Sequence, residues 1–176
     1  MSIRIKLTKT ELMVAAYIGS ARNVQSLHNG AEPGAGIGTD DTWTPNIEGA
    51  AGEMAVAKAL DIYWVPLIGK YGAPDVGKFE VRTNGSRDRT DMNLRPRDFE
   101  KGGANKIWIS VLSFNPWFEI VGWIRGADGR QPQWFHNGTP GRPPSWWVPA
   151  TALHDIELLM RSPRDEPDYA RLSGAA

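Results

Sequence analysis

The stretch Gly72-Ala-Pro-Asp-Val-Gly-Lys-Phe-Glu-Val-Arg-Thr83 contains the pattern from which both the fold and the function of this chain are inferred. Residues 79–83 predict a short strand that ends at Asn84-Gly85, a dipeptide typical of tight turns. Alternate residues of a strand share one face, so Glu80 and Arg82 point to one side and the apolar residues beside them point into the opposite layer. The strand is therefore expected to present an acid and a cation together.

Two carboxylates in the same stretch predict a metal site. If Asp75 ends one strand and Gly77-Lys78 forms the turn, the carboxylate of Asp75 lies beside that of Glu80. Two such oxygens, a backbone carbonyl and water molecules are ligands suited to Mg²⁺ or Mn²⁺. Next to a phosphodiester, such an ion polarises the phosphoryl oxygen and activates the attacking water, while Arg82 stabilises the developing charge.

Each of these residues also has a structural interpretation. Asp75 in Pro-Asp-Val-Gly is compatible with an ordinary turn aspartate bonded to its own backbone. Glu80 and Arg82 are compatible with a solvated strand face and a weak ion pair. The metal site is favoured by the combination of these residues with acids on a preceding helix and with the order of the elements.

The segments that follow predict a sheet. Residues 106–114 are apolar on both alternating faces, as in a central strand that is covered on each side, and residues 118–124 predict its neighbour. Residues 133–136 predict a further short strand. A final helix of about ten residues is expected after Pro149.

Two helices are predicted before this sheet. Thr8-Lys-Thr-Glu11 has the form of a capping box and opens a helix over residues 9–28. Its apolar residues recur at the spacing of an amphipathic helix, namely Met13, Ala16, Tyr17, Val24 and Leu27. An alanine-rich stretch predicts a second helix over residues 47–60. Its acids Glu48 and Glu53 lie about 140° apart around a helix, so only one of them is expected to face the site.

Together these elements predict an α/β protein with a central mixed β-sheet flanked by helices. The 176 residues fit one domain over residues 1–161. A flexible loop is expected over residues 30–45, which are rich in glycine and proline, and an unstructured tail over residues 162–176.

Composition excludes several kinds of site. The chain has no cysteine, which excludes a disulfide framework, a thiolate zinc site, an iron–sulfur cluster and a cysteine nucleophile. Lys+Arg and Asp+Glu are each 20, so any surface that binds nucleic acid must be local. The start lacks the apolar core of a signal peptide, and no stretch approaches the ~18 apolar residues that span a bilayer. We therefore expect a soluble cytoplasmic protein without a membrane partner, in the host cytoplasm if a phage encodes it.

One short region is rich in arginine. Residues 82–97 contain five arginines, namely Arg82, Arg87, Arg89, Arg95 and Arg97. Arginine forks bind phosphate groups, so the last four are predicted to contact a DNA backbone. Asp88 and Asp91 are interspersed among them, which leaves a solvated loop as the alternative.

The order of these motifs resembles the PD-(D/E)XK nuclease superfamily. The resemblance rests on an acid on an early helix, then Pro-Asp, then acid-x-basic on the next strand, within an α-β-β-β-α-β order. Small phage and prophage members are similar in more detail, over about residues 47–160. The matching motifs are Gly52-Glu53-x-Ala55, Pro74-Asp75-Val76-Gly77, Glu80-Val81-Arg82-Thr83 and Trp147-Val148-Pro149.

The resemblance implies a restriction-endonuclease-like core with an additional N-terminal helix, and an Mg²⁺- or Mn²⁺-dependent nuclease that acts on DNA. Asp75 and Glu80 would be the metal ligands, with the Val81 carbonyl as a third. Arg82 stands where the family usually has lysine, and because arginine is always protonated it can stabilise charge but cannot act as a general base. Glu53 would be the helix acid that orients the water or a second metal.

Nucleases that cut both strands commonly form dimers, so the resemblance also implies a possible homodimer. One alternative is a catalytically inactive relative, a phage accessory protein that uses the same scaffold to bind DNA or a protein partner. Another is a structural protein of the virion. Fold analogy alone does not decide among these functions.

Overall fold

A four-stranded mixed β-sheet forms the centre of the computed structural model, which describes residues 2–30, 42–69, 73–85, 90–100, 102–139 and 143–161. The strands of the chain are β1 (Ile3–Lys6), β2 (Phe79–Asn84), β3 (Met92–Leu94), β4 (Ile107–Phe114), β5 (Trp117–Arg125), β6 (Phe135–His136) and β7 (Ser145–Val148). The helices are α1 (Lys9–His28), α2 (Trp43–Ala59), α3 (Pro96–Phe99), α4 (Gly126–Gly129) and α5 (Glu157–Arg161).

The central sheet has the order β1-β5-β4-β2. β2 runs parallel to β4, whereas β4 with β5 and β5 with β1 are antiparallel. The predicted mixed sheet is therefore confirmed, with β4 as an interior strand whose residues are buried from Ile107 to Ser113. β1 was not predicted, although Ile3 and Ile5 alternate with Arg4 and Lys6 as in an edge strand with one solvated face.

α2 lies on one face of this sheet, and α1 packs mainly against α2. Because α2 is enclosed between α1 and the sheet, eight of its residues are buried, and five of these are alanines. Small side chains let both neighbours come close. A Cβ atom added at Gly19 of α1 would collide with the backbone of Ile47 in α2, so glycine permits the contact between the two helices.

The opposite face of the sheet is covered by a second sheet rather than by helices. β3, β7 and β6 form a three-stranded antiparallel sheet in the order β3-β7-β6. A small apolar cluster joins the two sheets, formed by Met92, Leu94, Trp108, Ile124 and Val148. Of the helices predicted to flank the sheet, α1 and α2 therefore lie on one side, and on the other side residues 145–148 pair with β3 to form the second sheet.

α1 begins and ends where its capping box and spacing predict. The Glu11 amide donates to the Thr8 hydroxyl (3.2 Å), and the Thr8 amide donates to the Glu11 carboxylate (2.6 Å). α2 begins at Trp43, four residues earlier than predicted, so the end of the expected 30–45 loop is helical. The rest of that loop (31–41) and the predicted tail (162–176) lie outside the described residues.

The apolar stripe predicted on α1 faces solvent instead of the core. Met13, Tyr17, Val24 and Leu27 are all exposed. The buried residues of the helix are Ala15, Ile18, Gly19 and Asn23. Close contact with α2 requires small residues on the inner face of α1. This requirement, and not the spacing of the large apolar residues, decides which side of the helix is buried.

The prediction of a final helix of about ten residues is also wrong. The chain forms a single 3₁₀ turn over Ala150–Ala152 and then the short helix α5. Between them, His154 exchanges two backbone hydrogen bonds with Trp123 of β5 (2.8 and 2.9 Å). This pairing extends the edge of the sheet and removes residue 154 from helical geometry. In the described part of the chain, no helix has the length and apolar character needed to cross a membrane.

Candidate functional site

A tight turn returns Asp75 to the strand that follows it. Val76 and Phe79 exchange two backbone hydrogen bonds (3.1 and 2.8 Å), and Gly77 adopts φ +58°, which glycine tolerates best. The Asp75 carboxylate then accepts a hydrogen bond from the Val81 amide of β2 at 2.8 Å. Asp75 is therefore attached to the strand rather than to its own turn, and it precedes an isolated bridge rather than ending a regular strand.

Glu80 and Arg82 share one face of β2, as the alternation predicts, but they do not pair with each other. The Glu80 carboxylate forms an ion pair with Lys106, which lies just before β4. The Arg82 guanidinium stacks over the Trp108 ring at 4.6 Å and contacts the Asp98 carboxylate at 2.6 Å. Because Glu80 is only 9% exposed, the interpretation of this face as a solvated surface is wrong.

Glu53 reaches the same region from α2. It is 5% exposed and accepts hydrogen bonds from the two terminal guanidinium nitrogens of Arg22 (2.5 and 2.9 Å), with the Trp64 indole as a further donor at 3.3 Å. Gly52 makes this placement possible, because a Cβ atom there would overlap the Thr83 hydroxyl of β2. The helix thus approaches the strand closely at the residue before Glu53.

The other helix acid lies elsewhere. A Cβ atom added at Gly85 would contact the Glu48 carboxylate, so Glu48 lies at the end of β2. Glu53 is accordingly the helix acid that the structure brings to Asp75. The separation of Glu48 and Glu53 agrees with their angular spacing on a helix.

One carboxylate of the site, that of Asp75, forms no ion pair with the described residues. Three pairs form, namely Arg22–Glu53, Lys106–Glu80 and Arg82–Asp98. Within the described ranges, Asp75 has no cationic partner and accepts the hydrogen bond from Val81. Burial raises the pKa of Asp75 to about 7, and the negative charges of Glu53 and Glu80 contribute to this rise. The hydrogen bond from Val81 and the positive charge of Arg82 oppose it. Asp75 is therefore a carboxylate that a positive ligand would stabilise in its charged form.

Two clefts adjoin at these residues. One has a volume of about 570 Å³ and the other about 870 Å³. Both are lined by Arg22, Asn46, Asp75 and Arg82. Glu80 and Lys106 line the smaller cleft, whereas Glu53 and Val81 line the larger one. The three acids and their cations consequently border open space that a ligand can enter.

Two of the four arginines predicted to bind DNA are described, and both lie at the clefts. Arg95 lines the larger cleft and Arg97 the smaller one. The pKa of Arg95 lies below its ordinary value because of burial and because of the charges of Arg97 and Arg82. The guanidinium groups of Arg82, Arg95 and Arg97 therefore lie close to one another at the clefts. Arg87 and Arg89 fall outside the described residues.

Sequence reasoning missed the cations that pair with the acids. Arg22 comes from α1, where Glu53 raises the pKa of its guanidinium above the ordinary value against the opposing effect of burial. Lys106 comes from the start of β4, beside the register pair Glu80–Trp108. A lysine at the first position of the predicted central strand was the available signal for Lys106, whereas no local pattern marks Arg22.

A divalent ion such as Mg²⁺ requires several oxygen ligands. No group of three or more His, Cys, Asp or Glu side chains that could hold a metal ion is found among the described residues. Asp75 and Glu80 with a backbone carbonyl would supply two carboxylates and a neutral oxygen, a hard donor set. The partly buried carboxylate of Asp75, which forms no ion pair with the described residues, fits a positive ion. The Glu80 carboxylate would then contact both this ion and Lys106.

Comparisons with protein-family models, with curated proteins and with solved structures found no match to this chain.

Proposed function

We propose that this protein is a metal-dependent nuclease that hydrolyses DNA phosphodiester bonds, with a core of the PD-(D/E)XK type. The observation that carries the proposal is the partly buried Asp75 carboxylate, which lies near Glu53 and Glu80, lines both clefts and forms no ion pair with the described residues. A partly buried group with a raised pKa in a cleft is a candidate for a functional role. Its acidic neighbours favour a cation as its ligand.

Asp75 and Glu80, with the Val81 carbonyl, would hold Mg²⁺ or Mn²⁺. When bound, such an ion supplies Lewis-acid polarisation of a phosphoryl oxygen and lowers the pKa of a bound water. The Val81 amide fixes one oxygen of Asp75 at 2.8 Å and so orients the carboxylate toward the clefts. The chain itself therefore prepares the geometry of one ligand.

The cations of the site would stabilise charge on the phosphate. Arg82 is held between Trp108 and Asp98, which restricts its motion and fixes its guanidinium at the smaller cleft. Lys106 lines the same cleft and is its only lysine among the described residues. Arg82 stands where the motif usually has lysine. We therefore propose that Lys106 supplies the ammonium group that contacts the phosphate. Glu53, positioned by Arg22, would orient the water.

A second candidate is a catalytically inactive relative that binds DNA. It is favoured by the ion pairs, because Glu53, Glu80 and Arg82 are each engaged within the chain. In this alternative the pairs are structural, and Arg95 and Arg97 with Arg82 bind phosphates without metal. The protein would then bind DNA without hydrolysing it.

Cleavage of supercoiled plasmid and of labelled single strands tests the proposal, with Mg²⁺, Mn²⁺ or a chelator. Asp75→Asn and Glu80→Gln are expected to lower the rate at least ~100-fold, because each removes a carboxylate ligand without changing size. Glu119→Gln is the control, since this acid pairs with Arg4 at the far edge of the sheet. Metal-dependent cleavage that is lost in the two site variants and kept in the control supports the nuclease.

Other outcomes assign the alternative or reject both. DNA binding by the wild type without cleavage in any metal, and with unchanged affinity in Glu80→Gln, assigns the inactive binding protein. Absence of both cleavage and DNA binding would reject both candidates.

A further inference from the structure

The outer face of α1 is apolar and exposed along the whole helix. The exposed fractions are 63% for Met13, 43% for Val14, 71% for Tyr17, 54% for Val24 and 52% for Leu27. Isolated apolar residues on a surface are ordinary, but a contiguous patch marks an interaction site. These five residues, with Ser20 and Ala21 between them, are called the α1 face below.

The charged residues of α1 lie on the opposite side. Between its first and last residues, the helix has only Glu11 and Arg22 as charged side chains. Glu11 pairs with Lys58 of α2 at 2.9 Å, and Arg22 pairs with Glu53. The usual arrangement of a surface helix is thus reversed, with ion pairs inside and apolar side chains outside. Such a face is stabilised when a second apolar surface covers it.

We propose that the α1 face of a second copy of this chain covers it, with the two helices antiparallel about a two-fold axis. The order of residue sizes is nearly the same in both directions from the centre of the face. Small residues, Ser20 and Ala21, occupy the centre, with Tyr17 and Val24 on either side and then Val14 and Leu27. A two-fold axis between residues 20 and 21 places Tyr17 of one copy against Val24 of the other, and Val14 against Leu27.

Charge also favours this occupant. The α1 face has no charged side chain that would repel its own copy, as an isologous interface requires. Antiparallel pairing places Lys9 near the carboxyl end of the other helix, where the helix dipole is negative. Small residues at the crossing point allow close approach of the two backbones. This inference does not depend on the nuclease activity.

The oligomeric state of the purified chain, measured by sedimentation equilibrium over a range of concentrations, tests the proposal. A single helix face is smaller than the ~800 Å² per partner of a standard interface, so we expect a dimer that dissociates on dilution. Tyr17→Glu is expected to raise the dissociation constant of the dimer at least ~10-fold, whereas Tyr17→Phe leaves it nearly unchanged. Met160→Glu, at an exposed apolar residue of α5, is the control and keeps the dimer.

The direction of pairing is tested by cross-linking, which the absence of cysteine makes straightforward. Ser20→Cys lies at the proposed axis and is expected to link two copies through a short cysteine-specific reagent. Two copies of Met13→Cys would be about 22 Å apart along the helices and should not link. A mixture of Met13→Cys and His28→Cys should link, because these residues lie opposite each other.

Several results would overturn the proposal. In sedimentation, these are a monomer at every concentration or a dimer that Tyr17→Glu does not weaken. In cross-linking, it is a link between two copies of Met13→Cys, which indicates parallel helices. A monomer in which Tyr17→Glu lowers the melting temperature would show that the chain covers its own α1 face, which also contradicts it. Circular dichroism of each variant confirms that it is folded.

Discussion

The protonation of Asp75 couples the site to the stability of the fold. Its pKa rises from an ordinary value of 3.8 to about 7 in the folded protein, chiefly because of burial. Between these values the folded state binds a proton that the unfolded state has lost, so this residue contributes stability below about pH 4 that is lost as the pH rises toward 7.

We expect Asp75→Asn to be more stable, relative to the wild type, at pH 8 than at pH 5. The difference in the free energy of unfolding should be on the order of 1–4 kcal/mol, since the buried charge is removed. Urea denaturation without divalent ions measures it at both pH values. The exposed acid Asp128 supplies the control variant Asp128→Asn, and an equal pH response in both variants would contradict the prediction.

The same proton competes with a metal ion. Under the proposed function, Mn²⁺ affinity should increase as the pH rises through about 7, because the ligand must be deprotonated. Titration calorimetry with Mn²⁺ at about pH 6 and pH 8 checks this. Asp75→Asn should remove the pH dependence together with most of the affinity. Binding that is independent of pH in the wild type would argue against Asp75 as a ligand.

At the scale of elements, the approach of α2 to β2 depends on one glycine. A Cβ atom at Gly52 would overlap the Thr83 side chain, whereas nothing lies within 4 Å of a Cβ atom at Gly49. Both residues are inside α2, so helix propensity favours alanine equally at each. The two positions thus separate packing against the sheet from the formation of the helix.

Gly52→Ala is expected to destabilise the fold by about 1–3 kcal/mol through overpacking. Gly49→Ala should stabilise it by about 0.5–1 kcal/mol, because alanine loses less backbone entropy in a helix. Thermal or chemical unfolding of the two variants measures the contrast. If the two changes had the same sign, the close contact between α2 and β2 would not limit the packing.

Local patterns in the sequence predicted the positions of α1, β2, β4 and β5, because capping and alternation are properties of neighbouring residues. They also indicated that Asp75 returns to β2, since the turn is only a few residues long. They could not show that Glu53 and Glu80 have partners, because Arg22 comes from a distant helix and Lys106 from the start of another strand.

The exposed side of α1 was misread for a related reason. Hydrophobic spacing identifies an apolar stripe but does not state what covers it. The small residues that α2 requires on the inner face, Ala15 and Gly19, look neutral in a hydrophobicity pattern. Likewise, the backbone pairing of His154 with Trp123 is a tertiary contact that outweighed the helical pattern before it.

At the scale of the whole molecule, a neutral chain places several cations at the clefts, where acids also line the walls. Arg82 and Arg97 lie close enough to Arg95 for their charges to lower its pKa. A phosphate backbone bound there would release counterions in proportion to the contacts made. Binding of DNA should therefore weaken steeply with salt although the formal net charge is zero.

Arg95→Ala and Arg97→Ala are each expected to lower the slope of log affinity against log salt by about 1. Fluorescence anisotropy with a labelled duplex, over a range of salt concentrations and without metal, measures this slope. Arg4→Ala is the control, because Arg4 pairs with Glu119 on the edge strand. An unchanged slope in both cleft variants would exclude these arginines as phosphate contacts.

The position of β1 at the edge of the central sheet has a consequence for how the chain folds. Arg4 and Glu119, which pair across β1 and β5, are 115 residues apart in sequence. Closing so long a loop costs entropy that local hairpins avoid, and high contact order slows folding. During synthesis β1 emerges from the ribosome long before its partner, so it must wait unpaired until β5 has been made. We therefore expect β1 to dock late on the hairpin of β4 and β5.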